Sequence, residues 1–158
     1  MALLLVRHAH AWPRKEWTGE DRLRPLSANG RREAEGLIYI AGRFKPLSRV
    51  LSSPYRRCIE TVEPLAARYG LAVEPADDLV EGESQKAVQL VRSLVGQDAV
   101  LCTHGDIVAE ILVSLADEDR VDLGPSPRQA KGSVWALQAK NGLFKSAEYF
   151  PPAVAEAV

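Results

Sequence analysis

Leu3-Leu4-Leu5-Val6 runs without a break into Arg7-His8-Ala9-His10. The apolar run is too short for a membrane helix and reads as a strand buried on both faces. A strand that stops abruptly at Arg-His delivers a guanidinium and an imidazole to one edge of a sheet. In open α/β sheets, ligands bind in the crevice beyond the carboxyl ends of the strands. An arginine fork there suits a phosphate or a carboxylate. The imidazole can be a nucleophile, an acid/base or a ligand. Alone, the pair is equally compatible with two solvated residues at a strand end. What decides is whether other strands bring the same chemistry to the same edge.

Two do. Ala99-Val100-Leu101-Cys102-Thr103 is a second apolar run, and it leads directly into His104-Gly105-Asp106. The helix after it buries Ile107, Val108, Ile111, Leu112 and Leu115, and Gly105 permits a close backbone approach. Val50-Leu51-Ser52 is a third strand, followed by Ser53-Pro54-Tyr55-Arg56-Arg57-Cys58-Ile59-Glu60-Thr61. Ser53 is a natural N-cap and Pro54 a natural first helical residue. The stripe Tyr55, Cys58, Ile59, Val62, Leu65, Ala66 and Tyr69 then predicts a helix. That places Arg56 and Arg57 in its first turn, where positive charge opposes the helix dipole unless an anion binds. Two histidines and an arginine pair therefore converge on one edge.

The rest of the chain supplies the scaffold. His10 to Leu26 is a polar stretch with Trp12, Arg14, Lys15, Trp17, Arg22 and Arg24. Its length suggests a binding loop, its tryptophans packed on the core and a basic residue turned to the pocket. Ser27 caps a helix carrying Ala34, Leu37, Ile38, Ala41 and Phe44, which Pro46 ends. Gly70 closes the Arg57 helix, and Leu71-Ala72-Val73 reads as a short strand. Asp77-Asp78-Leu79-Val80-Glu81-Gly82-Glu83-Ser84 is acidic and irregular; Ser84 caps a helix with Val88, Val91, Leu94 and Val95. A polar connection over 117–132 holds Pro125, Pro127, Arg128 and Lys131. Asn141-Gly142 between two apolar runs signals a hairpin. Strands alternating with helices give an α/β sandwich, its sheet mostly parallel with an antiparallel pair at the end.

A length of 158 residues suits about one domain. With 46% hydrophobic residues and a formal net charge of −1, the chain reads as soluble and not as a general nucleic-acid binder. Cys58 and Cys102 stand in unrelated contexts and read as small core residues, without metal spacing or a disulfide framework. Neither a signal peptide nor a membrane segment is read, so the expected location is the cytoplasm. Residues 151–158, starting Pro151-Pro152, read as a loosely held tail.

Two imidazoles and two guanidiniums in a cleft suit phosphoryl transfer without a metal, since arginine and histidine neutralise the charge of the moving group. At this point the residues resemble a known family. Arg7-His8-Ala9 is similar to the Arg-His-Gly/Ala signature of the histidine phosphatase superfamily, of phosphoglycerate-mutase-like fold. Ser53 to Thr61 resembles its Ser-Pro-x-x-Arg-Ala-x-Gln-Thr segment, with Cys58 for Ala and Glu60 for Gln. Thr103-His104-Gly105-Asp106 resembles its second histidine motif. Arg24-Pro25-Leu26-Ser27-Ala28-Asn29-Gly30 resembles the Arg-Pro-Leu-Thr-x-x-Gly segment of the SixA-type phosphohistidine phosphatases. Lys131-Gly132-Ser133-x-Trp135 and Leu79-x-Glu81 further resemble the phosphatase domain that follows a Nudix domain in some actinobacterial hydrolases.

The resemblance implies a three-layer α/β/α sandwich, one domain over 1–150, needing no cofactor and no metal. It implies that His8 attacks phosphorus and becomes phosphohistidine, while Arg7, Arg57 and His104 hold the phosphoryl oxygens. Its register selects Arg57, not Arg56. Glu81 matches the residue that protonates the leaving oxygen, and Arg24 and Lys131 are the further substrate-binding candidates. His10 either shapes the pocket or is an exposed loop residue. The implied partner is a phosphorylated protein, above all a phosphohistidine, or a small phosphate ester, nucleotides included; a mutase fits less well because the chain is short. The contrasting reading is a module that binds phosphate without turning it over.

Overall fold

The computed structural model describes residues 1–125 and 127–153. Six strands form one sheet: β1 (Ala2–Arg7), β2 (Arg49–Ser52), β3 (Val73–Pro75), β4 (Ala99–Thr103), β5 (Val134–Lys140) and β6 (Leu143–Phe150). Their order is β3-β2-β4-β1-β5-β6. The first four are mutually parallel; β5 runs antiparallel to β1, and β6 antiparallel to β5. The helices are α1 (Ala28–Ala41), α2 (Arg56–Arg68), α3 (Ser84–Ser93) and α4 (Gly105–Glu118).

The alternation of side chains along β1 builds three layers. Leu3 and Leu5 join Leu101, Val91 of α3 and Ile107, Ile111 and Leu115 of α4 in one core. Leu4 and Val6 join Val100, Leu37 of α1 and Val62 and Leu65 of α2 in a second core on the other face. The mostly parallel sandwich with its terminal antiparallel hairpin is thus the observed fold. Asn141 (φ 55°) and Gly142 (φ 77°) make the hairpin turn, since both left-handed angles match the strand twist. Among the described residues no helix is long and apolar enough to cross a membrane.

Four local expectations are corrected. Strand β3 begins at Val73, because Leu71 is used to stop α2. Gly70 adopts φ 68°, its N–H bonds to Ala67 O and Leu71 N–H to Ala66 O, which is a Schellman closure. Helix α2 starts at Arg56 with Tyr55 as its cap residue; Ser53 is diverted to another partner, described below. Helix α3 starts on Ser84, with Glu83 in the cap position. Of the tail, Ala153 packs on α1 so closely that a Cβ on Gly36 would have no room, so Pro152 and Ala153 are held while Pro151 is exposed. Residues 154–158 lie outside the described residues.

Candidate active site

Strand register assembles the site. Arg7 pairs with Thr103 across β1 and β4, so the next residues, His8 and His104, leave the sheet side by side. Ser52 pairs with Cys102 across β2 and β4, which brings Ser53 to the same edge. The His8 and His104 rings meet edge to face with centroids 5.6 Å apart.

His8 is nearly buried, and its Nδ1–H donates to Ala9 O at 2.8 Å. A carbonyl can only accept, so the hydrogen bond fixes the tautomer and leaves Nε2 with a bare lone pair. Burial pushes its pKa down to about 3, and the charges of Arg57, His104 and Arg7 add to that against the Ala9 hydrogen bond. The imidazole is neutral at ordinary pH. Thr61 holds the backbone beneath it: its hydroxyl accepts from Ala9 N–H at 3.0 Å and donates to Arg57 O.

A stability prediction follows from this burial. The unfolded imidazole titrates near 6.5 and the folded one near 3, so the unfolded chain binds more protons in between. The contribution is complete above 6.5 and is lost as pH falls towards 3. Urea unfolding at about pH 4.5 compared with neutral pH is expected to show His8→Asn losing about 2–3 kcal/mol less stability than the wild type. An equal loss in both proteins would contradict the buried neutral imidazole.

Arg57 is fully buried at the first turn of α2, whereas Arg56 is exposed and pairs with Glu60 at 3.1 Å. Arg57 Nη2 donates to Glu81 Oε1 at 2.9 Å and to Asp21 Oδ2 at 3.2 Å, and Nη1 to Asp21 O at 3.0 Å. Asp21 also accepts from Arg24 Nε at 3.0 Å, so one carboxylate holds two buried guanidiniums. Burial alone would raise the Asp21 pKa, but the Arg24 hydrogen bond and the Arg57, Arg24 and Arg14 charges hold it below the usual carboxylate range.

His104 is buried behind His8. Its Nε2 shares a hydrogen bond with Ser53 Oγ at 2.8 Å, and the buried Cys58 Sγ lies 3.7 Å away. Glu81 Oε1 lies 3.2 Å from its Nδ1 but out of line for a hydrogen bond. Asp106 Oδ2 accepts from Gly82 N–H at 3.1 Å and so pins the loop that carries Glu81. Arg7 Nη1 donates to Gln129 O at 2.8 Å. A Cβ on Gly105 would lie 2.8 Å from Arg7 Cζ, so the glycine makes room for the guanidinium.

Three buried nitrogens here have no hydrogen-bond partner among the described residues: Arg7 Nε, Arg57 Nε and His104 Nδ1, the last a donor when its Nε2 accepts from the Ser53 hydroxyl. Buried donors are almost always paired, so three on different elements around one imidazole mark a place built for an anion.

Arg7, His8, Arg57 and Glu81 line a cavity of about 890 Å³, together with Arg24, Lys131, His10, Trp12, Arg14 and Asp106. All seven candidates from the sequence are therefore gathered at or beside one cavity. Arg24 is buried and ties the 10–26 loop down through Trp12 O at 2.7 Å. His10 lines the cavity as well as being exposed, with Nδ1 2.6 Å from Ser27 Oγ. The loop tryptophans do not join the core. Trp12 is 46% exposed on the cavity, and Trp17 folds back on its own loop through Nε1 to Glu20 O. The sequence reading missed Asp21 and the contact between Ser53 and His104. Asp21 sits three residues before Arg24 in a stretch without periodicity, and only the fold brings it to Arg57.

The 8-oxo-(d)GTP phosphatase of Mycolicibacterium smegmatis is 28% identical over 95% of the chain; the chain spans about half that relative's length, 48%. The structure of the protein histidine phosphatase SixA complexed with tungstate superposes with a TM-score of 0.73 at 21% identity, covering 98% of this chain and 97% of that one. The alpha-ribazole phosphatase of Shigella flexneri gives 0.72 at 14% identity, with both chains covered fully. These similarities show a shared fold. The sequence pattern of the histidine phosphatase superfamily (branch 1) matches residues 3–87, a segment that carries Arg7, His8, Arg57 and Glu81, and the chain belongs to that superfamily.

Proposed function

We propose that the protein is a phosphatase that works through a covalent phosphohistidine on His8, without metal or cofactor, in one domain over 1–150. The observation that carries the reading is the trio of unpaired buried donors beside an imidazole whose Nε2 lone pair is free. His8 Nε2 attacks phosphorus. Arg7, Arg57 and His104 neutralise the oxygens in the transition state, where such donors are worth most. Water then cleaves the P–N bond and releases phosphate. Membership of the superfamily supports phosphatase activity.

Glu81 is the proton donor to the leaving oxygen in this reading by its place on the cavity wall beside Arg57 and His104, and it acts when its carboxyl group carries a proton. An alkoxide needs that proton; a phosphohistidine nitrogen is a less demanding leaving group. Glu81→Ala is expected to slow hydrolysis of an alkyl phosphate about 10²-fold or more, and that of a phosphohistidine protein far less. Equal losses on both would remove the acid role.

The substrates proposed are phosphohistidine proteins or small phosphate esters, met in the cytoplasm. Nucleotides are a second reading, favoured by the exposed Trp12 on the cavity and by the Mycolicibacterium relative's substrate. Phosphate release from p-nitrophenyl phosphate and from a phosphohistidine protein is the test. Release from either supports the proposal. Binding of inorganic phosphate with no release from both would favour the binding-module reading.

A further inference from the structure

Charge accounting along the cavity leaves two cations over. Five basic side chains line it: Arg7, Arg14, Arg24, Arg57 and Lys131. Asp21 is taken up by Arg24 and Arg57, Glu81 by Arg57, and Asp106 receives Gly82 N–H. A phosphoryl group would be met by Arg7 and Arg57. No carboxylate among the described residues comes within ion-pair distance of Lys131, and Arg14 has only a loose 3.9 Å approach to Asp21 with its side chain 72% exposed.

The Lys131 side chain is exposed, but the backbone beside it is fixed. The next residue, Gly132, donates its N–H to Arg7 O at 3.1 Å and to His8 O at 3.0 Å. Gly132 adopts φ 80°, which a side chain would strain, and Arg7 holds the same loop through Gln129 O. The backbone carrying Lys131 is therefore locked to the backbone carrying the nucleophile. Burial and the charges of Arg7, Arg24, Arg14 and Arg57 lower the lysine's pKa, so an anion there relieves repulsion. On the same cavity stands the half-exposed Trp12 ring, its backbone fixed at N–H by Pro25 O and at O by Arg24.

Resting on the phosphatase reading above, we propose that Lys131 and Arg14 form a second anion subsite at the mouth of the cavity, with Trp12 as its aromatic wall. The ligand class that fits is a nucleoside diphosphate, whose two phosphates are joined by one bridging oxygen and whose base is planar. A cavity of about 890 Å³ accommodates a ligand of that size. The terminal phosphorus takes the Arg7–Arg57 position and the inner phosphate faces Lys131. His8 Nε2 forms a bond to the terminal phosphorus as the bond to the bridging oxygen breaks. That oxygen leaves with the electron pair as part of the nucleoside monophosphate, its charge met by Lys131. Water then cleaves the phosphohistidine, giving inorganic phosphate and a proton and restoring His8.

The test compares kcat/KM for adenosine diphosphate, adenosine monophosphate and p-nitrophenyl phosphate in wild type, Lys131→Met, Lys131→Arg and Arg14→Gln. The wild type is expected to prefer the diphosphate over the monophosphate at least about ten-fold, which one charge-assisted contact supplies. That ratio is expected to fall about ten-fold in Lys131→Met, to recover in Lys131→Arg and to fall by less in Arg14→Gln. Arg14 is an exposed loop side chain, so its variant carries the test if Lys131→Met does not fold. A wild type that turns over p-nitrophenyl phosphate without preferring the diphosphate overturns the subsite and leaves the phosphatase reading intact, as does a ratio unmoved in the variants. A wild type that turns over none of the three overturns the subsite, and one that also releases no phosphate from a phosphohistidine protein overturns both.

Discussion

Replacing His8 by alanine is expected to lower phosphate release at least about 10⁴-fold while the protein still binds inorganic phosphate. His8 supplies the lone pair that attacks phosphorus; the groups around it only balance charge. Its tautomer is set by the 2.8 Å bond to Ala9 O, and its neutrality by burial, so the nucleophile is ready without a base. With the ring gone, Arg7, Arg57 and His104 still face the cavity, and a small residual rate from their electrostatics is expected. Assay of inorganic phosphate release alongside equilibrium phosphate binding separates the two effects. A loss of less than ten-fold would mean that water, not His8, attacks the substrate.

Arg57→Met is expected to reduce kcat/KM about 10³-fold or more, the scale set by arginines that meet transferring phosphoryl groups. The guanidinium is fully buried, and its Nε is one of the three unpaired donors. Methionine fills much of the same space without a charge. The carboxylates it abandons, Asp21 and Glu81, are each 42% exposed at the side chain and can be rehydrated, so the variant is expected to fold. Arg56→Met, on the neighbouring exposed residue, is the control. Thermal melts establish folding, and steady-state kinetics on p-nitrophenyl phosphate give the loss. A similar loss in both variants would place the effect on the helix and not on the phosphate.

What the sequence made legible was whatever local pattern could carry. The apolar runs 3–6 and 99–103 each end in a histidine, and the parallel register Arg7↔Thr103 turns those endings into neighbours. Arg56 and Arg57 were indistinguishable by composition; one position around the helix buries Arg57 and exposes Arg56. Strand β3 was misplaced by two residues because an edge strand is defined by its partner β2, while Leu71 looks as apolar as Val73. Asp21 was invisible for a different reason. Its worth lies in Arg57, 36 residues away, and in Arg24, and a carboxylate in a charged loop has no periodicity to mark it. Trp12 was expected in the core on hydrophobicity alone. The pull of Arg24 on its carbonyl and the Ala11–Leu26 bridge hold its backbone at the loop's base, and its ring stands in the cavity.

The measurement that bears most directly on the account is covalent trapping. The protein is mixed with p-nitrophenyl phosphate, quenched within milliseconds to seconds, and digested for mass spectrometry under conditions that spare phosphoramidates. The account predicts acid-labile phosphate on His8, absent from His8→Ala and accumulating in any variant whose second step is slowed. Steady turnover in the wild type, with no phosphate on His8 at any quench time and none trapped in such variants, would contradict it.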